Sequence, residues 1–340
     1  MTEALFYTKR EHEEVQCRLC PHTCLIKPEK RGYCGVRKNI SGKLYALTSG
    51  RVISAVADPV EKKPLYHFFP GSRAYSLGGF GCNLACRHCQ NHTISQVRDE
   101  VSFSMLQKMP SREIIENALA GKCKMIAWTY NEPTIWYEYI FETSKLAREK
   151  GLKTVLITNG VINKEPLLEL LPFIDAYRID VKGFTDDFYK QLTGFPFLKT
   201  VMESGETAFA AGCHVEVVTN IIPNWNDGKE HIEGISTWIK EKLDPSVPWH
   251  ITAYHRANKL SEKDTPSETL ISAKKTALKI GLNHIYLGNI YTENDGNTLC
   301  PECGNTLIRR YAMSMERNIT EKGCCPQCHS PLKMYRDEGI

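Results

Sequence analysis

The run Gly81-Cys82-Asn83-Leu84-Ala85-Cys86-Arg87-His88-Cys89-Gln90-Asn91 sets three thiols in a C-x3-C-x2-C spacing. Thiolates are the usual ligands of iron–sulfur clusters. A loop with this spacing can wrap one [4Fe–4S] cube through three irons and leave the fourth without a protein ligand, free to bind a substrate or cofactor. A zinc loop is the competing reading, but structural zinc sites close their tetrahedron with a fourth Cys or His at regular spacing. Asn91-His92 is the one nearby candidate for that role.

Outward from this loop, short apolar runs alternate with amphipathic stretches. Strands are expected at Ala74 to Gly78, Lys124 to Trp128, Lys153 to Thr158, Tyr177 to Val181, Val215 to Ile222, His250 to Ala253 and His284 to Leu287. Helices are expected at Ser111 to Leu119, Thr134 to Glu149, Lys164 to Leu171, Asp186 to Leu192, Lys229 to Lys242 and Ser267 to Ile280, the first opening on a Ser and carboxylate capping signal. Repeated β and α units imply a parallel sheet with right-handed crossovers. Their number in 340 residues favours an α/β fold built as a full or partial parallel (β/α) barrel, with small cysteine-rich metal modules at both ends. The expected division is an N-terminal Cys-rich module over 1–45, a barrel over 46–292 and a zinc-ribbon-like module over 293–340.

Forty-three Lys and Arg against 39 Asp and Glu leave a net charge of +4, which gives no strong argument for a nucleic-acid partner. No apolar run approaches a membrane span, and Met1-Thr2-Glu3-Ala4-Leu5-Phe6-Tyr7 lacks a signal peptide's apolar core, so a cytoplasmic protein without a membrane role is expected. Fourteen cysteines, most of them clustered, then read as metal ligands in a reducing interior. Cys123 and Cys213 border apolar runs and read as small buried residues. Cys300-x2-Cys303 with Cys325-x2-Cys328 matches a zinc ribbon, with rubredoxin-type iron as the rival. Cys324 adjoins Cys325, but the shared Cys-Pro-x-Cys form favours Cys325. Cys17-x2-Cys20-x3-Cys24 followed by Cys34 could hold zinc or an auxiliary [4Fe–4S] cluster, since thiolate softness suits both.

In a parallel barrel the chemistry sits at the C-terminal ends of the strands, and the polar motifs fall there. The cysteine loop follows the Ala74 to Gly78 strand through Gly79-Phe80-Gly81, where glycines would let backbone approach the cluster. Thr129-Tyr130-Asn131-Glu132-Pro133, Asn159-Gly160 and Asp180-Val181-Lys182-Gly183 end the next three strands. Asn159-Gly160 alone is as readily a turn, whereas four polar exits in register suggest one site. Arg51 through Gly71, with Lys62, Lys63, Tyr66 and His67, leads into the cluster strand. Lys62-Lys63 reads either as a solvated pair or as part of a substrate cavity.

With Asp58-Pro59-Val60-Glu61-Lys62-Lys63-Pro64-Leu65, Thr158-Asn159-Gly160, Ile221-Ile222-Pro223 and Leu287-Gly288-Asn289 added to these motifs, the chain resembles the radical S-adenosylmethionine (SAM) enzymes from about Cys17 to Asn289. Within them it is similar to the radical SAM component of the AmmeMemoRadiSam system, a relative of the pyruvate formate-lyase activating enzymes. The resemblance implies that Cys82, Cys86 and Cys89 ligate a [4Fe–4S] cluster whose open iron is chelated by SAM. An electron, from reduced flavodoxin or ferredoxin, then splits SAM to methionine and a 5′-deoxyadenosyl radical. It also implies cofactor-binding roles for Asn131, Glu132, Asn159, Asp180, Lys182 and His255: Asn131 and Glu132 at SAM's amino group, Asp180 and Lys182 as an Asp-x-Lys motif at its zwitterion, and His255 near the ribose. Two departures stand out. Ile157 replaces an Asp before Thr-Asn-Gly, and His88 stands where an aromatic residue usually precedes the last cluster cysteine.

The expected function is hydrogen abstraction from a macromolecular substrate, protein or RNA, or activation of a partner protein. Modification of a small metabolite is the alternative within enzymes. From another class, the ribbon could make the chain a nucleic-acid-binding protein, for which Arg309, Arg310, Tyr311 and Arg317 give some support.

Overall fold

Strand formation follows the apolar runs closely. In the computed structural model, which describes residues 1–97, 103–290, 295–311, 314–320 and 322–335, one sheet of eight strands carries the fold. These are β1 (Ser54–Pro59), β2 (Arg73–Gly78), β3 (Met125–Trp128), β4 (Lys153–Thr158), β5 (Ala176–Asp180), β6 (His214–Ile221), β7 (Trp249–Ala253) and β8 (Ile285–Gly288). β1 pairs antiparallel with β2, and β2 through β8 are parallel and adjacent in chain order. Chain-order neighbours joined by crossovers are the arrangement of a barrel. Among the described residues β8 does not pair with β1, so the barrel is partial and open along one side.

Around it lie α1 (Ser111–Ala120), α2 (Tyr137–Glu149, entered by a 3-10 turn over Pro133–Trp136), α3 (Lys164–Leu170), α4 (Asp186–Thr193), α5 (Leu198–Ala210), α6 (Lys229–Trp238) and α7 (Ser267–Ile280). The expected cap at Ser111 does not form. Pro110 occupies the cap position, and Ser111 Oγ instead accepts from Thr143 Oγ1 at 2.9 Å, because the first turn of α1 is buried against α2. Thr185 does cap α4, accepting from Phe188 N at 3.2 Å.

Alternation along each strand sends one set of side chains outward to the helices and the other into the bore. Ala74, Met125, Ala127, Val155, Ile157 and Ala176 point inward, and Val60, Leu65, Phe68 and Phe69 pack among them. The segment from Pro64 to Pro70 is therefore a strap across the bore at the N-terminal ends of the strands. The bore is polar on the β6 to β8 side: Glu216, fully buried, accepts from Tyr66 N (3.0 Å), His67 N (2.7 Å), His214 Nε2 (2.9 Å) and His250 Nε2 (2.6 Å). Burial alone would raise its carboxyl, but the His214 and His250 rings hold it well below the usual range.

The terminal segments form small antiparallel sheets at opposite ends of the barrel. Near the N-terminus, Thr2–Glu3 and Arg37–Ile40 flank Lys43–Ala46, and Tyr7–Lys9, Val15–Cys17 and Leu25–Ile26 form a second sheet. This part meets the C-terminal ends of the strands, where Asn163 N donates to Leu19 O at 3.0 Å and His22 Nε2 to Asn83 O at 2.7 Å. The C-terminal sheet of Thr298–Leu299, Thr306–Tyr311 and Ser314–Arg317 docks at the base instead. There Arg310 stacks on Tyr66 at 4.2 Å and donates to Tyr66 O at 2.8 Å, and Tyr335 N donates to His67 O at 2.9 Å. No helix among the described residues is long and apolar enough to cross a membrane.

Candidate active site

The cysteine loop leaves β2 through two glycines whose need is steric. A Cβ on Gly79 would lie 1.9 Å from the Trp136 ring, and one on Gly81 (φ +91°) 2.6 Å from Cys34 O. These glycines thus admit an aromatic ring and a carbonyl of the protein itself, whereas the sequence suggested room for a cluster. Asn131 fixes the turn by accepting from Gly79 N at 2.9 Å and donating to Gly81 O at 3.2 Å. Further along, Ala85 N and Arg87 N donate to Thr193 O and Leu192 O at the end of α4 (3.0 and 2.9 Å). Donors already face the sulfurs: Leu84 N is 3.3 Å and Asn159 Nδ2 3.7 Å from Cys82 Sγ, and Ser95 Oγ is 3.2 Å from Cys89 Sγ.

Cys82, Cys86 and Cys89 open on a cavity of about 340 Å³ that also meets Asn131, Glu132, Asn159, Asp180 and Lys182. Asn220, Thr252 and Asn289 line it from the far side. Residues at or beyond the ends of all seven parallel strands thus share one space, which requires the sheet to curl. His255 does not join them: it is exposed and its Nδ1 lies 3.0 Å from Asp264 Oδ2.

Within the cavity wall, Glu132 is committed to the protein. Thr158 Oγ1 (2.7 Å) and Thr134 N (3.0 Å) donate to Oε1, and Asn159 N (2.8 Å) to Oε2, although burial raises its carboxyl. Asn159 in turn donates to Asn83 Oδ1 at 2.9 Å, so Glu132 holds the ends of β3 and β4 against the cysteine loop. Lys182 Nζ is 3.3 Å from Asp180 Oδ2, and Arg178 is hydrogen-bonded to Asp180 Oδ1. Burial raises the Asp180 carboxyl, but Arg178 and Lys182 outweigh it and keep it ionised. Burial opposes the charge on Lys182, yet Asp180 and then Cys86 raise its pKa above normal. His88, buried and next to Lys182, is pushed down to about 3 and is neutral. Arg178 is the residue the sequence reading missed. Its signal was strand alternation, which puts positions 178 and 180 on one face. Of the Lys62-Lys63 pair, Lys62 is exposed and reaches the cavity, whereas Lys63 is buried on Asp58 at 3.1 Å.

The donor set suits a cluster better than a single ion. Among the described residues, the thiols whose sulfurs all lie within 4.8 Å of one another are Cys300, Cys303, Cys325 and Cys328, which could hold one metal ion; Cys324 stands outside them. The three catalytic-loop sulfurs do not converge in this way, as three corners of a cube require. Cys123 and Cys213 are buried, and Cys213 Sγ donates to Ile174 O at 3.1 Å.

A family model described as the radical SAM superfamily matches residues 77–235, from within β2 to within α6. Over 329 residues the chain is 44% identical to the uncharacterised protein MJ0808 of Methanocaldococcus jannaschii, covering 95% of this chain and 97% of that one. The chain belongs to the radical SAM superfamily. This radical SAM enzyme is also 26% identical over 200 residues to a pyruvate formate-lyase-activating enzyme of Clostridium pasteurianum, covering 53% of this chain and 77% of the relative. Among solved structures it is similar in fold to Streptococcus suis SuiB bound to precursor peptide SuiA, with a TM-score of 0.50, 15% identity and coverage of 68% and 51% of the two chains. Membership brings SAM and an iron–sulfur cluster as the cofactors of the class.

Proposed function

We propose that this enzyme cleaves SAM reductively at a [4Fe–4S] cluster held by Cys82, Cys86 and Cys89 and takes hydrogen from a macromolecular substrate or partner protein. The observation that carries this reading is the single cavity in which the three thiols face Asp180, Lys182 and Arg178. The cluster, when bound, supplies the electron that splits SAM into methionine and a 5′-deoxyadenosyl radical, with reduced flavodoxin or ferredoxin as its source.

The chain's own residues bind and orient. Lys182, which stays charged, pairs with the SAM carboxylate, and Asp180 accepts from its amino group. Glu132 and Asn131 keep the strand ends and the cysteine loop in register, and Asn159 carries that order to Cys82. Neutral His88 offers a flat face to adenine without a competing charge. Among the described residues the outer edge of β8 has no strand partner, which leaves the barrel open beside Asn289 and suits a substrate too large to enter whole. Activating-enzyme relatives and the AmmeMemoRadiSam resemblance favour a protein substrate.

The C-terminal module is read as a structural zinc ribbon. Two of the basic residues that favoured nucleic acid are spent on docking: Arg310 on Tyr66 and on Thr298 Oγ1 (2.8 Å), and Arg317 on Pro70 O.

Anaerobically reconstituted protein given SAM and dithionite should release 5′-deoxyadenosine, and replacing Cys82, Cys86 and Cys89 together by Ala should abolish it. Continued SAM cleavage by the triple variant would overturn the assignment.

A further inference from the structure

We infer that Cys17, Cys20, Cys24 and Cys34 hold a second [4Fe–4S] cluster, and not zinc, seated directly behind the catalytic cysteine loop. The four thiols line one small cavity in the N-terminal segment, together with Leu19, Ile26, His22 and Arg37. They reach it from separate pieces of backbone. Cys17 ends the Val15–Cys17 strand, Cys20 and Cys24 flank a turn closed by Thr23 N on Cys20 O (3.1 Å), and Cys34 sits in a turn closed by Gly35 N on Gly32 O (2.9 Å).

Hydrogen-bond donors are aimed at the sulfurs in advance. Tyr33 N lies 3.4 Å from Cys24 Sγ, and Arg37 Nη1 3.5 Å from Cys17 Sγ. Arg37 is 1% exposed; its other terminal nitrogen pairs with Glu138, and its Nε is buried without a hydrogen-bond partner. A guanidinium turned toward sulfur in an apolar shell fits an anionic centre there, because thiolates around a divalent core keep a net negative charge.

The spread of the sulfurs separates the two metals. Zinc with Zn–S bonds of about 2.3 Å draws tetrahedral sulfurs to about 3.8 Å from one another. The C-terminal four meet that demand, with Cys300 and Cys328 sulfurs 3.5 Å apart and Cys303 and Cys325 sulfurs 3.6 Å apart. Among the described residues the N-terminal four do not gather so, and neither do Cys82, Cys86 and Cys89. The chain thus supplies its own references, a closed set for one ion and an open set for a cube. The N-terminal group belongs with the open set, because a cube holds each thiolate on a different iron.

Its position adds a role. His22, between Cys20 and Cys24, stacks on Tyr33 at 4.4 Å and donates to Asn83 O at 2.7 Å, and Cys34 O fills the space a side chain on Gly81 would need. Asn83 and Gly81 are the two neighbours of Cys82, so ordering the N-terminal cluster also orders the backbone that presents the catalytic thiols.

The test uses the full chain with Cys82, Cys86 and Cys89 replaced by Ala, reconstituted anaerobically with iron and sulfide in the presence of zinc. About four irons and about four acid-labile sulfides per chain should remain, with the Mössbauer signature of a [4Fe–4S] cluster and one zinc from the C-terminal set. Adding Cys17→Ala and Cys20→Ala should remove the iron and sulfide and leave the zinc, with circular dichroism reporting the fold. Should the five-fold variant misfold, the roughly four irons and four sulfides of the triple variant still decide the matter, since that chain lacks Cys82, Cys86 and Cys89 and its C-terminal set is filled by zinc. Two zincs without sulfide in the triple variant, or a folded triple variant with no metal beyond the C-terminal ion, would overturn the inference. The counts in the triple variant depend neither on SAM cleavage nor on a cluster at Cys82, Cys86 and Cys89, so they stand apart from the fate of the catalytic reading.

Discussion

Acidification should weaken the folded protein through the histidines at the base of the barrel, with His284 the clearest case. Its side chain is 4% exposed and its ring centroid lies 4.5 Å from that of His67. Burial pushes its pKa down to about 4, Glu216 opposing, whereas an unfolded chain titrates it near 6.5. Between those values the unfolded state binds a proton that the folded state excludes. Stability is therefore full above about pH 6.5 and falls as the pH drops toward 4. At about 1.4 kcal/mol per unit, the gap of about 2.5 units amounts to about 3 kcal/mol, of which about 2 kcal/mol is lost by pH 5. His67 and His250 are depressed by burial as well and add in the same direction. Glu216, held ionised, adds its own loss only below its unfolded pKa of about 4.5. Urea unfolding at pH 7.5 and 5, on wild type and His284→Phe, isolates the one ring, since every other acid-labile group is common to both. Wild type should lose about 2 kcal/mol more than the variant between the two pH values. Equal losses would refute the claim that the fold holds His284 neutral.

Other perturbations probe the site directly. Glu132→Ala removes the acceptor from Thr158 Oγ1, Thr134 N and Asn159 N, and at about 1 to 3 kcal/mol for each orphaned group it should destabilise by about 3 kcal/mol or more in thermal denaturation, with Glu132→Gln milder. Lys182→Ala should weaken SAM binding about 10- to 100-fold by calorimetry, the worth of a charge-assisted contact; a lowered melting temperature with unchanged affinity would leave Lys182 as a structural partner of Asp180. Gly79→Ala would place a methyl group 1.9 Å from the Trp136 ring and should cost cluster incorporation, measured as iron per chain. Cys325→Ala should lose one metal ion and lower the melting temperature while 5′-deoxyadenosine formation persists, because the ribbon docks at the end of the barrel remote from the cavity.

The parallel strands were legible because burial on both faces writes them as apolar runs, and the observed bounds differ from the expected ones by about a residue. Helix α5, strand β1 and the short strands of the terminal sheets were not. Helix α5 carries Gly205 in its middle, which reads as a breaker; in the fold the glycine lets the Trp238 ring lie where a Cβ would meet it at 3.2 Å. Strand β1 ends in Asp58-Pro59, a polar motif whose carboxylate is taken up inside the bore by Lys63 and by Ser76 Oγ at 2.9 Å. The cysteine sets and the polar strand exits could be read because their spacing is local. The base network could not, since Glu216 draws donors from His67 in the strap and from His250 on the neighbouring strand as well as from His214 on its own, and only strand pairing and the docked strap bring these together. His255 shows the converse. The family resemblance implied a ribose contact, against which a solvent-facing loop histidine was the equal alternative, and the loop turns it to solvent and Asp264.

With the strap of Leu65, Phe68 and Phe69 filling the bore and the ribbon seated beneath it, the barrel is closed at its base. What reacts inside therefore comes in from the other end, past the cysteine loop, Asp180, Lys182 and Asn289. A macromolecular substrate of the kind proposed above, resting across that end, would act as a cork. SAM would then have to be loaded before the cork is set, and methionine and 5′-deoxyadenosine would leave only after it lifts, so that the closed base, where no chemistry takes place, would bear on the order of binding and release.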